Sequence, residues 1–112
     1  MIKIYHNPRC SKSREALKLI QDKGHVEIIE YMSQNIDLTA LRSAIALTGL
    51  KPSQLVRKNE SIFKESYKGK SLTEDEWVEA FVKEPKLLER PIVIKGNKGV
   101  LGRPPENVLS LF

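Results

Sequence analysis

Among the 112 residues there is a single cysteine, Cys10. No internal disulfide can form, and a metal site built only of cysteines is excluded. The longest unbroken apolar run is Ala44 to Leu47, far below the roughly 18 to 20 residues that a membrane span requires. A spanning helix is therefore excluded and no membrane partner is expected. The opening residues contain no apolar stretch of signal-peptide length, so a cytoplasmic location is expected. Aromatic residues make up only 6%, which leaves few platforms for stacking bases. The basic residues are scattered rather than gathered in runs, so nucleic acid is not the expected partner either. No internal repeat or low-complexity segment occurs.

What is present is a moderate excess of positive charge. Nineteen Lys and Arg against fourteen Asp and Glu give +5, which favours an anionic ligand, and a small anion fits the scattered distribution best. With 40% hydrophobic and 29% charged residues, the composition is that of a globular protein, and the length allows one domain, residues 1–112.

Apolar periodicity orders the chain. Ile2, Ile4 and Tyr5 form a first strand that ends at the turn residues His6-Asn7-Pro8. Ser13, Ala16, Leu17 and Ile20 recur at helical spacing as one buried stripe, and Gly24 closes that segment. Val26 to Tyr31 reads as a second strand. Strand, helix, strand in this order indicates an α/β domain opening with a parallel pair. The middle, about residues 37–85, is a helical block. Asp37 caps a helix carrying Leu38, Leu41, Ile45 and Leu50, closed by Gly49, and Pro52 opens a short helix through Leu55 and Val56. The polar stretch from Arg57 to Lys70, with isolated Ile62, Phe63 and Tyr67, reads as a loop with room for a helical turn. Thr73 to Glu76 forms a capping box ahead of Trp77, Ala80 and Phe81, and Pro85 stops that helix. Ile92-Val93-Ile94 and Val100-Leu101, joined by Lys95 to Gly99, form a β-hairpin. A last helix opening at Pro104 or Pro105 is expected to pack Val108, Leu109 and Phe112 on the sheet.

The chemistry centres on Cys10. It stands where the first strand's turn meets the first helix, and unpaired N–H groups and the positive helix end there favour thiolate over thiol. Arg9, Lys12 and Arg14 add positive charge. A free cysteine is only about 3% ionised at pH 7, and a pKa lowered by about two units would make most of it reactive. Spacing excludes two familiar cysteine loops: the Arg that a phosphatase loop needs is replaced by Ala16, and the second thiol of a thioredoxin-type pair is replaced by Ser13. A redox cycle must therefore borrow a thiol from another molecule. His25 has no identifiable partner and is assigned no role.

The segment His6-Asn7-Pro8-Arg9-Cys10-Ser11-Lys12-Ser13-Arg14 resembles the active-site signature of the glutaredoxin-dependent arsenate reductase family. Leu55-Val56-Arg57-Lys58-Asn59, Glu89-Arg90-Pro91-Ile92-Val93 and Gly102-Arg103-Pro104 resemble three further segments of that family in the same order, so the likeness covers nearly the whole chain. The resemblance implies a thioredoxin/glutaredoxin-like mixed sheet with a helical insertion, and Pro91 looks like the cis-proline of that fold. It also implies a reductase in which Cys10 attacks arsenate and arsenite is released, with His6 and Ser13 supporting the thiolate and Arg57, Arg90 and Arg103 binding the oxyanion. Glutathione would be the co-substrate and a glutaredoxin the partner, with no bound cofactor or metal and a monomeric enzyme. Ser11-Lys12 departs from members with small uncharged residues beside the thiol. Two alternatives share the architecture: a related thiol oxidoreductase or oxyanion binder, and an Spx-type regulator that binds RNA polymerase. Many such regulators carry a Cys-x-x-Cys switch, which Ser13 denies here.

Overall fold

The computed structural model describes all residues, 1–112. Its centre is a four-stranded sheet of β1 (Ile2–Tyr5), β2 (Val26–Ile29), β3 (Ile92–Lys95) and β4 (Lys98–Leu101), in the spatial order β2-β1-β3-β4. The β1/β2 pair is parallel, with helix α1 (Ser11–Ile20) as the crossover, and the other two pairs are antiparallel. Between β2 and β3 lie α2 (Leu38–Thr48), a 3-10 turn (Pro52–Leu55), α3 (Ser61–Ser66), α4 (Glu74–Lys83) and a second 3-10 turn (Pro85–Leu87).

Strand alternation divides the core between the two sheet faces. Ile2, Ile4 and Val93 point to one face, where they pack with Ala16 and Ile20 of α1 and with Val108 and Leu111. Tyr5 and Ile92 point to the other, where they meet α2 and α4 through Leu41, Ile45, Val78 and Phe81. Trp77 stacks with Phe63 and Phe81 at 6.4 Å between ring centres, which ties α3 to α4 beneath the site.

The caps of α2 and α4 are as expected, whereas α1 ends at Ile20 with Gln21 as its C-cap, short of Gly24. Asp37 accepts from the Ala40 N–H at 3.0 Å, Gly49 takes φ 76°, and Thr73 and Glu76 cap each other reciprocally. Four further boundaries differ from the sequence reading. The second strand stops at Ile29 rather than Tyr31, because the chain turns there and Tyr31 drops its ring into the core. Helix α2 ends at Thr48, and Leu50 packs from beyond the glycine. The hairpin connection is only Gly96-Asn97, since Lys95 pairs with Lys98. The terminal helix, Pro105–Leu111, is 3-10 rather than α. In a three-residue turn, positions i and i+3 eclipse, so Pro105, Val108 and Leu111 share the buried side. Leu109 and Phe112 consequently remain 41% and 43% exposed rather than packed on the sheet.

Two short pairings set up the site. Val56 and Leu88 form an isolated antiparallel bridge, flanked by Arg57 N–H donating to Leu87 at 2.7 Å and Glu89 N–H donating to Leu55 at 2.8 Å. This fastens Arg57 beside Glu89 and Arg90. Gly102 N–H donates to the Pro91 carbonyl at 2.8 Å, which brings Arg103 to the same place. A Cβ at Gly102 would lie 2.9 Å from Pro91 Cγ, so only glycine fits this close approach.

Candidate active site

Cys10 is the N-cap residue of α1. Its N–H donates to the Asn7 carbonyl at 3.0 Å and closes the turn that delivers β1 into the helix. The Asn7 side chain accepts from the Arg9 N–H at 3.1 Å, and the Arg14 guanidinium donates to the Pro8 carbonyl at 2.9 Å. Half-burial of the thiol opposes ionisation, but the Ser13 N–H, the Arg90 guanidinium and the Lys12 N–H outweigh it and hold the Cys10 pKa below the ordinary cysteine value. The rate of Cys10 alkylation is therefore expected to rise with pH through an inflection below roughly 8.5, the free-thiol value, and an inflection at or above that value would contradict the assignment. By linkage, this ionisation contributes to stability above the unfolded thiol's pKa, and the contribution is lost as pH falls through the folded value.

Ser13, fully buried, faces Cys10 with its backbone N–H. Its hydroxyl serves the turn instead, accepting from the Asn7 N–H at 3.1 Å and lying 2.6 Å from His6 Nδ1. Burial lowers the His6 pKa, Arg14 pushes it the same way, and Glu30 opposes them. A neutral imidazole accepts the Ser13 hydroxyl proton at Nδ1. His6 and Ser13 thus brace the loop that carries the thiol.

The three arginines converge from distant segments. Arg103 Nη1 lies 3.9 Å from Cys10 Sγ and donates to the Arg90 carbonyl at 3.2 Å. Arg103 Nε lies 3.1 Å from Glu89 Oε2, and Arg57 Nη1 reaches the same oxygen at 3.8 Å. Arg57 Nε is 3.4 Å from Glu60, out of line for a hydrogen bond. The positive charge of Arg90 favours the thiolate, and its Nε and Nη1 are buried without a partner. The peptide bonds Arg90–Pro91 and Arg103–Pro104 are both cis. Beside the turn opens a cleft of about 510 Å³ lined by Asn7, Pro8, Arg9, Glu30, Lys86 and Arg90, among others.

Of the residues singled out in the sequence, Cys10, Ser13, His6, Arg57, Arg90 and Arg103 are gathered in one region. Lys12 and Arg14 extend outward, so the cations at the thiol are Arg90 and Arg103, far along the chain, and Lys12 contributes its backbone N–H. Sequence reasoning missed Glu89, whose carboxylate lies between Arg57 and Arg103, although it stands inside a recognised segment.

Fold and site together define a thioredoxin-like protein with one acidic thiol at a helix start, surrounded by arginines. The chain belongs to the ArsC family, whose family model matches residues 5–111. It is 42% identical to an uncharacterized Escherichia coli protein, YfgD, over 98% of this chain and 95% of that one. It is 40% identical to an arsenate reductase of Haemophilus influenzae, covering 97% of each. The arsenate reductase structure from Vibrio cholerae superposes with a TM-score of 0.90 at 38% identity, covering 99% of this chain and 97% of that one.

Proposed function

We propose that the protein is an arsenate reductase dependent on glutathione and glutaredoxin. One observation carries the anion part of this reading. The buried side-chain nitrogen and oxygen atoms without a hydrogen-bond partner are Tyr31 Oη, Arg57 Nε, Arg90 Nε and Arg90 Nη1. Each bears a proton to donate, and the electrostatic field at Tyr31 joins it to Arg90, Cys10 and Arg57. Buried donors call for acceptors, and an oxyanion offers nothing but acceptors to such a cradle when fully ionised. Family membership and relatives named for arsenate reduction support arsenate as that anion.

In the proposed cycle, the Cys10 thiolate attacks the arsenic of arsenate. An S–As bond forms, and one arsenate oxygen leaves as water after protonation. The glutathione thiol then replaces a second oxygen, again released as water. A glutaredoxin thiolate attacks the glutathione sulfur, forming the mixed disulfide, and the electron pair of the broken S–As bond reduces As(V) to As(III). Hydrolysis of the remaining S–As bond frees arsenite and restores Cys10. Arg57, Arg90 and Arg103 hold the oxygens by charge and forked geometry. His6 and Ser13 keep the loop in shape while the thiolate reacts.

The test is arsenite formation from arsenate, measured by speciation, with glutathione and a glutaredoxin supplied and each omitted in turn. Turnover is expected only when both are present, since the chain has no second thiol. Equal rates without the glutaredoxin, or no arsenite under any combination, would overturn the proposal.

A further inference from the structure

Tyr31 sits where a phenylalanine would pack equally well. It is wholly inaccessible to solvent and belongs to the core beneath the sheet with Ile92, Phe81 and Leu88. Its ring accounts for that packing, but its hydroxyl does not, because Tyr31 Oη is buried without any hydrogen-bond partner. An orphaned hydroxyl costs free energy that a phenylalanine would not, so its presence needs a reason outside the core. Tyr31 N–H donates to the Ile29 carbonyl, which also accepts from His6 N–H, so Tyr31 leaves the sheet at the end where the Cys10 turn begins. The guanidinium of Arg90 lies close enough to its hydroxyl to interact without an aligned hydrogen bond, and the thiol of Cys10 and the guanidinium of Arg57 complete its electrostatic surroundings. Arg90 brings its own orphaned Nε and Nη1 to the same place.

We infer that Tyr31 is an oxyanion ligand, its phenol O–H donating to the anion oxygen that points into the protein beside Arg90. This rests on the oxyanion reading above and deepens it. A planar guanidinium meets oxygens in its own plane, and the start of α1 meets those nearest Cys10 Sγ. A tetrahedral anion keeps a further oxygen directed out of that plane, and a donor rising from the core suits it. The phenol supplies a proton without adding charge. It also keeps that proton, because burial, reinforced by the nearby thiolate, raises its pKa well above that of ordinary tyrosine, against the pull of Arg90 and Arg57.

The experiment compares the native protein with Tyr31→Phe. Affinity for inorganic phosphate, which the thiol does not reduce, and for arsenate is measured by calorimetry, and melting temperature is measured alongside. Tyr31→Phe should bind phosphate about tenfold more weakly or worse while its melting temperature stays level or rises, because removing an orphaned hydroxyl relieves the fold. Native binding with unchanged affinity in Tyr31→Phe would overturn the inference and leave the oxyanion reading standing. Absence of phosphate and arsenate binding by the native protein would overturn both. If Tyr31→Phe is less stable, the decision passes to the native protein carrying ¹³Cζ-tyrosine, with the Tyr31 signal assigned by elimination using Tyr5→Phe and Tyr67→Phe. Displacement of that signal by phosphate and not by chloride supports the inference, and a signal that phosphate leaves in place overturns it.

Discussion

Cys10→Ser should lower arsenate turnover by at least about a thousandfold while leaving the anion site intact. The hydroxyl of serine is far less acidic than a thiol and forms no S–As bond, so the covalent step and the electron transfer that depends on it disappear together. Anion affinity should move the other way. The thiolate in the native protein neutralises part of the field of Arg90 and Arg103, and Arg103 Nη1 lies 3.9 Å from Sγ. Removing one negative charge at roughly 4 Å from a bound anion is worth about 1 kcal/mol in a water-like medium, or about fivefold tighter phosphate binding. Arsenite speciation reads the first effect and phosphate calorimetry the second. Residual turnover near the native rate would show that Cys10 is not the nucleophile. Loss of phosphate binding would show instead that the thiolate itself holds the site together.

Arg90→Lys is expected to cost about a hundredfold in kcat/KM, roughly 2.7 kcal/mol, with no change in net charge. Arg90 has two buried donors without a partner and no carboxylate beside it, whereas Arg57, with one such donor, and Arg103 share Glu89. Lysine keeps the charge but loses the planar fork, and in a partly dry site the orientation of the donors carries much of the stabilisation. The corresponding losses for Arg57→Lys and Arg103→Lys should be smaller, about tenfold each, because a carboxylate already claims part of those guanidinium groups. Lys12→Ala should matter least, since that side chain is exposed to solvent and screened. Steady-state arsenate reduction across the four variants, with melting temperature as the control for folding, gives the ranking. Silent arginine variants with a severe Lys12→Ala would place the anion on the helix start alone.

Much of the fold was legible because its signals are local. The turn at His6-Asn7-Pro8, the stripe along α1, the Asp37 cap and the Thr73–Glu76 capping box each follow from a few neighbouring residues, and each is present. The errors were local as well. The last segment reads equally as α or 3-10 from its apolar positions, and only the seating of Pro105, Val108 and Leu111 against α1 and the sheet selects the three-residue turn. Val26 to Tyr31 has strand composition throughout, but pairing with β1 ends at Ile29.

The site divides in the same way. That Cys10 occupies a helix start, lacks a second thiol and sits among cations could be read from the order of residues, since these properties involve its immediate neighbours. Which cation acts on it could not. Lys12 is adjacent in sequence yet turns outward, while Arg57, Arg90 and Arg103 arrive from segments joined by the Val56–Leu88 bridge and the Gly102–Pro91 hydrogen bond, and Tyr31 arrives from the end of β2 through its pairing with β1. Charge and burial depend on distance through space, and for this protein those distances are set by the pairing of chain segments far apart in sequence.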